Sequence, residues 1–358
     1  MKGAISFRPY RDGDESEIVR LLNISFNRLA PVRTVDGWNW RFRQQPGFRP
    51  NGIRVAEDTQ GRRIVGALAA TIREVNVSGK VYKFGMLDDA SSHPEFRGRG
   101  ILRRLNDELI QYLKDNGVDA IGAYVGYNTV PYRDLTRRAF IEVAPVAKMI
   151  KVIRVAELFA KLPLTPAGYF FLKSLQSFSH RPEVMADHVD LRVERPQDDA
   201  VHFIASQSGN EVGRDLLTDE YSTWKYRTEN EQSKSCFVVA GSEKIVAVAH
   251  VKIKSYFYGQ PEENFKVAVL EDVLATEPQY IPAILEKAIS AANHEGALLV
   301  KADVDPRNQQ LFRKLVQAGF SQVRQVIGVY RSENSALNLS DVTETPWYVP
   351  TESVEGEP

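Results

Sequence analysis

The sequence SSHPEFRGRGI, residues 91–101, joins two segments of different character. Residues 81–90 are predicted to form a strand. From 101 to 116, apolar residues recur every three or four positions, which is typical of a helix. Gly98 and Gly100 fall in the turn between them. The order is therefore strand, basic glycine-rich turn, helix.

This turn has the physical features of a phosphate site. Unpaired N–H groups and the positive end of a helix attract an anion, glycines let the backbone approach closely, and four arginines add charge: Arg97, Arg99, Arg103 and Arg104. A P-loop is excluded because the Gly-Lys pair at 79–80 is followed by valine. A dinucleotide-binding motif is excluded because its third glycine would fall at position 103, which is arginine. An exposed basic turn without a ligand stays an alternative.

Composition sets the class of protein. The length of 358 residues favours two domains, and 43% hydrophobic with 26% charged residues is ordinary for a globular protein. A single cysteine, Cys236, excludes an intramolecular disulfide and any multi-cysteine metal site. The six histidines are scattered, so we expect no metal. We found neither a membrane span nor a signal-peptide core, and we expect a soluble, cytoplasmic protein.

The charge is unevenly distributed. Lys plus Arg equals Asp plus Glu, 46 each, which argues against a nucleic-acid or membrane partner bound through overall charge. Residues 1–150 nevertheless hold 24 Lys and Arg against 17 Asp and Glu, whereas the chain from Ser332 holds six acids and no Lys or Arg. A basic N-terminal part suits a polyphosphate cofactor.

The chain contains a long-range repeat. Five anchors recur in order: Trp40-Arg41-Phe42-Arg43 as Trp224-Lys225-Tyr226-Arg227, Asp88 as Asp272 and Pro94 as Pro278, each 184 residues apart, then Asn128 as Asn308 and Phe140 as Phe320, 180 apart. Duplication explains these matches. The second copy has lost four residues between Pro278 and Asn308 and has no glycine after Pro278-Gln279-Tyr280. Only the first copy can therefore use the glycine-rich turn.

Strands and helices alternate, which predicts an α/β (α+β) fold. Strands are expected at 53–57, 64–77, 81–90, 119–125 and 140–152, and helices at 101–116 and 129–138. The predicted organisation is an N-terminal domain at 1–152, a connector at 153–190, a C-terminal domain at 191–331 and an acidic, disordered tail at 332–358.

The stretch SHPEFRGRGI resembles the central motif of the GNAT superfamily of acyl-CoA-dependent N-acyltransferases. That motif is Arg/Gln-x-x-Gly-x-Gly/Ala after a strand ending in x-Pro-Glu-Tyr/Phe. Asn128, Ala139-Phe140 and the opening strand with Arg8 and Asp14 also fit. The resemblance covers residues 5–152 and, more faintly, 190–331. It implies two tandem GNAT-like domains, each a mixed central sheet flanked by helices.

The resemblance also implies acetyl-CoA as co-substrate and assigns residues to it. The backbone of Arg97, Gly98, Arg99, Gly100, Ile101 and Leu102 would bind the pyrophosphate, with Arg99, Arg103 and Arg104 near the outer phosphates. Ser91, Ser92 and His93 would pair with the pantetheine and donate to the thioester oxygen, and Asn128 would hold its other side. Two positions depart from the family: Leu102 replaces a Gly or Ala, and Leu135 replaces the frequent tyrosine general acid.

Transfer to an amine needs a base near the end of the central strand. Asp88 and Asp89 fall there, expected on opposite faces. Asp88 recurs as Asp272 in the copy without the turn, which favours a structural role; Asp89 corresponds to Val273 and is the favoured base. His93 is the second candidate. Tyr132, Tyr127 and Tyr124 are candidates for the missing acid, and each residue also has a non-catalytic interpretation.

Candidate acceptor contacts are Trp38, Phe48 and Tyr127, whereas the recurrence of Trp40 as Trp224 favours core packing. The predicted function is an N-acetyltransferase (EC 2.3.1) in which a primary amine of a small molecule, peptide or protein attacks acetyl-CoA directly. The alternatives are a non-catalytic CoA sensor or scaffold, or a transferase with a longer acyl or an aminoacyl donor. The acceptor and the oligomeric state stay open. We expect CoA binding to survive deletion of the C-terminal copy.

Overall fold

The computed structural model describes residues 4–26, 32–161, 190–195, 197–206, 214–215, 218–227, 233–258 and 260–334, with Leu337, Thr343 and Trp347. The strands are β1 Ile5–Pro9, β2 Ile53–Asp58, β3 Arg63–Val77, β4 Lys80–Ser92, β5 Ala120–Gly126, β6 Ile141–Val152, β7 Leu191–Glu194, β8 Arg214–Asp215, β9 Ser233–Ala240, β10 Ala247–Tyr258, β11 Gln260–Ala275, β12 Ala297–Val304 and β13 Ser321–Ser332. The α-helices are α1 Glu15–Phe26, α2 Val35–Arg41, α3 Ile101–Asp115, α4 Val130–Arg137, α5 Val155–Lys161, α6 Asp198–Ser206, α7 Asp219–Ser222, α8 Ile281–His294 and α9 Gln309–Gln317. The predicted strands and helices of the first copy are confirmed to within one or two residues.

One mixed sheet runs through both copies, and the last strands of the two copies are exchanged. The strand order is β1-β2-β3-β4-β5-β13-β6-β12-β11-β10-β9-β7, with β8 paired to β3. Strand β13, from the second copy, pairs with β5 of the first. Strand β6, from the first copy, pairs with β12 of the second. Each half of the sheet is therefore completed by the other half's last strand.

A pseudo-two-fold axis relates the two halves. Val146 and Val326, which are 180 residues apart, are direct partners where β6 and β13 pair antiparallel. Trp40 and Trp224, 184 residues apart, stack with ring centroids 4.9 Å apart. Equivalent positions meet each other in this way only at a two-fold axis. The two offsets found in the sequence thus mark this axis in the structure.

The glycine-rich turn accounts for the change of offset. In the first half a 3-10 turn at Pro94–Phe96 is followed by four residues before α3 begins at Ile101. In the second half the equivalent turn, Pro278–Tyr280, leads directly into α8 at Ile281. The difference of four residues is therefore residues 97–100.

Helix α3 packs its apolar stripe against the first half of the sheet. Leu105, Leu109 and Leu113 are fully buried. A Cβ on Gly66 would lie 2.4 Å from a methyl carbon of Ile101, so glycine in β3 is what lets the start of α3 lie against the strand. The turn before α3 is thereby fixed relative to β3 and β4.

Two apolar residues of the acidic tail pack against the core. Leu337 and Trp347 are buried, and the Trp347 ring stacks 5.3 Å from that of Tyr330. A large apolar side chain returning to the core overrides the acidic composition around it. Most other residues of the tail, and residues 162–189 of the connector, lie outside the described residues. Within the described part of the chain, we find no helix with the length and apolar character needed to span a membrane.

Candidate active site

Strands β4 and β5 separate after a short parallel contact. Residues 84–86 pair with 120–122, and the ladder then ends. On its other edge, β4 carries a bulge, because Asp89 and Ala90 lie opposite Leu68 alone. Asp89 has φ +54° there, in the left-handed region. A bulge bends a strand and re-directs its side chains, so β4 turns away from β5.

A cleft opens through the sheet where the strands separate. Its apolar wall is formed by Leu68, Leu87, Ala90, Ala123, Val125, Pro131 and Leu135, and its polar and aromatic wall by Phe26, Arg41, Asp88, Asp89, Asn106 and Tyr124. Leu68, Leu87, Ala123, Val125 and Leu135 belong to the core under α3, whereas Tyr124 belongs to the core on the opposite face. The cleft therefore connects the two faces of the sheet.

The glycine-rich turn lies at the end of the sheet where β4 and β5 end. Gly98 and Gly100 have φ +77° and +74°, and space beside each is open. The first bond within α3 runs from the Arg104 N–H to the Gly100 carbonyl. The N–H groups of residues 101–103 precede that bond, and no side chain of the described residues caps the helix. This is an anion-binding geometry at the N-terminus of a 15-residue helix.

The predicted cofactor residues lie on the turn, at the start of α3 and next to the ends of β4 and β5. Arg97, Gly98, Arg99, Gly100 and Arg103 are exposed, Leu102 is half-buried and Ile101 is buried. Ser91 and Ser92 pair with β3 along one edge, opposite Ala67 and Gly66. Asn128, exposed with φ +60°, follows β5. Since the carboxyl ends of parallel neighbours lie at the same sheet edge, Asn128 and the turn face each other across the opening.

Asp88 and Asp89 share one arginine. Arg41 Nη2 lies 3.2 Å from Asp88 Oδ1, and Arg41 Nη1 lies 3.4 Å from Asp89 Oδ1. Arg33 Nη2 lies 3.6 Å from Asp89 Oδ1. The expectation that the two acids point to opposite faces is wrong, because the bulge at Asp89 interrupts the alternation and brings both carboxylates to the same cation.

Asp88 has the environment of a proton acceptor. It is buried, and its Oδ2 has no hydrogen-bond partner among the described residues. Burial raises the pKa of Asp88, while the charges of Arg41 and Arg73 act in the opposite direction. The acid that the repeat marked as structural therefore lines the cleft, with one buried carboxylate oxygen that has no partner among the described residues.

The other candidates for proton transfer lie in different surroundings. The His93 Nδ1 accepts from the Glu95 N–H at 3.3 Å, and burial of the ring lowers the pKa of His93. The Tyr132 hydroxyl donates to Glu142, which raises the pKa of Tyr132 to about 12. Among the described residues, the cleft lining includes Tyr124 but not His93, Tyr127 or Tyr132.

Two predicted acceptor contacts lie elsewhere. Trp38 is buried in the core between α1, α2 and the sheet, with its ring 5.1 Å from Phe42 and 5.8 Å from Tyr10. Phe48 lines a separate cavity with Tyr112. Tyr127 is 55% exposed at the end of β5. Trp38 is thus a packing residue, because its helix turns it toward α1, away from the cleft.

The second half closes the equivalent position. Asp272 is fully buried, Lys225 Nζ lies 3.3 Å from its Oδ2, and the Tyr226 hydroxyl donates to the same oxygen at 3.1 Å. His250 Nδ1 lies 3.7 Å from it. Lys225 and Asp272 repeat Arg41 and Asp88, so the same ion pair has further polar partners in one half and lines a cleft in the other. Sequence reasoning missed Arg41, although a cation and an acid recur together in both copies.

Comparisons with known proteins agree with this geometry. Residues 6–133 match the family model of the acetyltransferase (GNAT) domain. The matched residues make up most of the N-terminal half. This confirms the predicted superfamily and supports the predicted class of enzyme, an acyltransferase.

Likeness to solved structures extends over both halves. Saccharomyces cerevisiae N-myristoyltransferase with bound myristoyl-CoA has a TM-score of 0.71 at 12% identity, over 97% of this chain and 89% of that chain. A GCN5-related N-acetyltransferase from Anabaena variabilis has 0.60 at 10% identity, over 92% and 73%. A putative acetyltransferase from Pyrococcus horikoshii has 0.60 at 12% identity, over 98% and 95%. At these identities the likeness concerns the fold, and it confirms the tandem GNAT-like architecture. No curated protein sequence matches the chain.

Proposed function

We propose that the protein transfers an acetyl group from acetyl-CoA to a primary amine in the cleft of its N-terminal GNAT domain. Two observations carry this proposal together: an uncapped helix N-terminus beside the carboxyl ends of β4 and β5, and, in the cleft between these strands, a buried carboxylate with one unpartnered oxygen. The first binds a phosphate. The second accepts a proton. A scaffold or sensor has no need of the second.

The reaction needs two protons to leave the nitrogen and one to reach the sulfur. Asp88 takes the first proton from the ammonium group, directly or through a water, and the free amine attacks the thioester carbon. A C–N bond forms and the C–S bond breaks, the nitrogen releases its second proton to solvent as the neutral amide forms, and the CoA thiolate leaves and is protonated. Tyr124, whose hydroxyl accepts from Tyr330 at 3.3 Å, is the tyrosine in the cleft wall that supplies this proton. It takes over the role of the family tyrosine that Leu135 replaces.

A short acyl group suits the cleft. The open path between β4 and β5 ends at the hydrogen-bonded pair of Met86 and Gly122. On the β13 side the Tyr330 ring fills the space beside Gly122, since a Cβ there would lie 2.3 Å from that ring. These contacts favour acetyl over a long chain, and the acceptor amine enters from the face that carries Arg41 and the two acids.

Asp88→Asn tests the assignment of the base. We expect kcat to fall by about 10²- to 10⁴-fold while acetyl-CoA affinity is retained, because only proton acceptance is lost. In the wild type, kcat/KM rises with pH through the pKa of Asp88, since the ionised form is the base. Burial places that rise above the ordinary value of 3.8. Rates with an amine panel and calorimetric titration of acetyl-CoA measure both effects.

Asp89→Asn is the matched control, because it removes a negative charge one residue away and leaves the carboxylate of Asp88 in place. We expect kcat to fall less than in Asp88→Asn. The acid limb of the pH profile, in which kcat/KM falls at low pH, should remain as in the wild type. The reverse result would assign the base to Asp89. A wild-type protein that binds acetyl-CoA but acetylates no amine of a broad panel would be a sensor, and the proposal would be wrong.

A further inference from the structure

Trp224 of the C-terminal half contacts the end of α2, next to the arginine of the acid–base site. Trp224 Nε1 donates to the carbonyl oxygen of Trp40 at 2.7 Å, and the two indoles stack at an interplanar angle of 18°. Both residues are buried. The carbonyl belongs to the peptide bond between Trp40 and Arg41. Trp224 therefore fixes the peptide plane immediately before the arginine that contacts Asp88 and Asp89.

This carbonyl needs a partner from outside its own helix. Helix α2 ends at Arg41, and the last four carbonyls of a helix have no partner within it. A buried carbonyl left without one is costly. The second half contributes one more contact here, because Lys252 Nζ lies 3.8 Å from the centre of the Trp40 ring, a cation–π geometry. The end of α2 is thus held by two residues of the other half.

We propose that Trp224 is a positioning residue for the reaction: it holds Arg41 where one guanidinium contacts both acids, so that the C-terminal half takes part in catalysis by the N-terminal half. The inference rests on the proposed function. It also gives the second half a role that does not require a cofactor of its own.

The position of Arg41 matters because of the charges that face Asp88. These are Arg41 from α2, Arg73 from β3 and Asp89 from β4, with Arg33 contacting Asp89. Arg41 stabilises the ionised form of Asp88 at 3.2 Å. If Arg41 moves away, the neighbouring charge of Asp89 and the burial of the site raise the pKa of Asp88 further.

Trp224→Phe in the full chain tests the inference, because phenylalanine keeps an aromatic ring but has no N–H donor. We expect kcat to fall about ten- to hundredfold, as small misplacements of catalytic groups do. The KM for acetyl-CoA should stay within about twofold, since the turn at 97–100 is untouched. The acid limb of the kcat/KM profile should move up by about half a pH unit or more. A change of stability alone would not move that limb.

Tyr256→Phe is the matched control, since it removes one hydrogen-bonding group from a buried aromatic residue of the same half, where Lys301 Nζ donates to the hydroxyl at 3.3 Å. We expect its kcat and pH profile to equal those of the wild type. Trp40→Phe is a milder second variant that serves if W224F does not fold. It keeps the carbonyl and puts a smaller ring where the indole contacts Trp224 and Lys252. It removes no hydrogen bond, because Trp40 Nε1 has no partner among the described residues. It should shift the profile in the same direction.

Arg41→Lys completes a double-mutant cycle. If Trp224 acts through Arg41, W224F should change little in the R41K background. Equal losses in both backgrounds, or unchanged pH profiles in folded W224F and W40F, would overturn the inference. If the proposed function is wrong, the wild type itself transfers no acetyl group. That result is distinct from the outcomes above, which compare variants with an active wild type.

Discussion

The recurring aspartate has different surroundings in the two halves. Asp272 is enclosed by Lys225, Tyr226 and His250, and it is fully buried. Its counterpart Asp88 keeps the cation but lines a cleft, and one of its buried oxygens has no partner among the described residues. Recurrence in a repeat therefore identifies the ion pair as part of the fold. It does not exclude the second role proposed for Asp88, where the pair lines a cleft.

Gly100→Val should abolish binding of acetyl-CoA. Gly100 has φ +74°, so a β-branched residue is strained there, at a cost of about 1–2 kcal/mol. Nothing lies within 4 Å of the added Cβ. The damage therefore falls on the loop backbone that would hold the pyrophosphate, and titration calorimetry with acetyl-CoA measures it.

Gly117→Val is the control at the other end of the same helix. Gly117 has φ +64° and open space around its Cβ, so the strain and the loss of melting temperature should be similar. Its acetyl-CoA affinity should equal that of the wild type. Equal loss of affinity in both variants would mean that strain in α3, rather than contact with the cofactor, explains the result.

The sequence identifies the side chains of the candidate site better than it identifies where each side chain points. The turn, Asn128 and the acidic pair were found from motifs and repeats. The sharing of Arg41 by Asp88 and Asp89 was not, because strict alternation along β4 was assumed and a bulge breaks it. Aspartate tolerates φ above zero more readily than most residues, but that tolerance does not locate a bulge. Similarly, Trp38 and Phe48 could not be placed without the packing of α2.

The second half has the fold of the first half without the glycine-rich turn at 97–100. Its 3-10 turn leads directly into α8, and α8 still packs with Ile284, Leu285 and Ala288 fully buried. The fold thus tolerates the shorter connection. Strand and helix boundaries were predictable because amphipathic periodicity is a local property.

Deletion of residues 97–100 should therefore give a folded protein that does not bind acetyl-CoA. The deletion joins Phe96 to Ile101 as Tyr280 is joined to Ile281. Circular dichroism and the melting temperature should show a native fold, while calorimetry shows no binding. Replacement of the same four residues by Ser-Gly-Ser-Gly is the companion variant: it keeps the length and loses both arginines. Retained affinity in the deletion variant would show that the phosphate site lies elsewhere.

Because the last strands are exchanged, each half of the sheet depends on the other half for one of its strands. Removal of the second half takes β13 from between β5 and β6, which exposes unpaired strand edges. We therefore expect CoA binding to survive deletion of the second half only where another strand takes the place of β13. The exchange was not predictable from sequence, because β6 and β13 are equivalent strands of the repeat and no local pattern says which half each joins.

The isolated segment 1–161 should consequently form a homodimer. In the full chain, Val146 of β6 pairs with Val326, the equivalent residue of β13. In a dimer of the segment, β6 of the second copy can take the place of β13. Val146 would then pair with Val146 of the other copy across a true two-fold axis. Light scattering after gel filtration should give twice the mass of the segment, and the dimer should bind acetyl-CoA through its turns. Val146→Lys, which sets two like charges opposite each other at a buried position, should prevent dimer formation. A folded monomer that binds acetyl-CoA would show instead that β6 folds back into its own half, and that exchange follows from the linkage of the two copies rather than from the strands themselves.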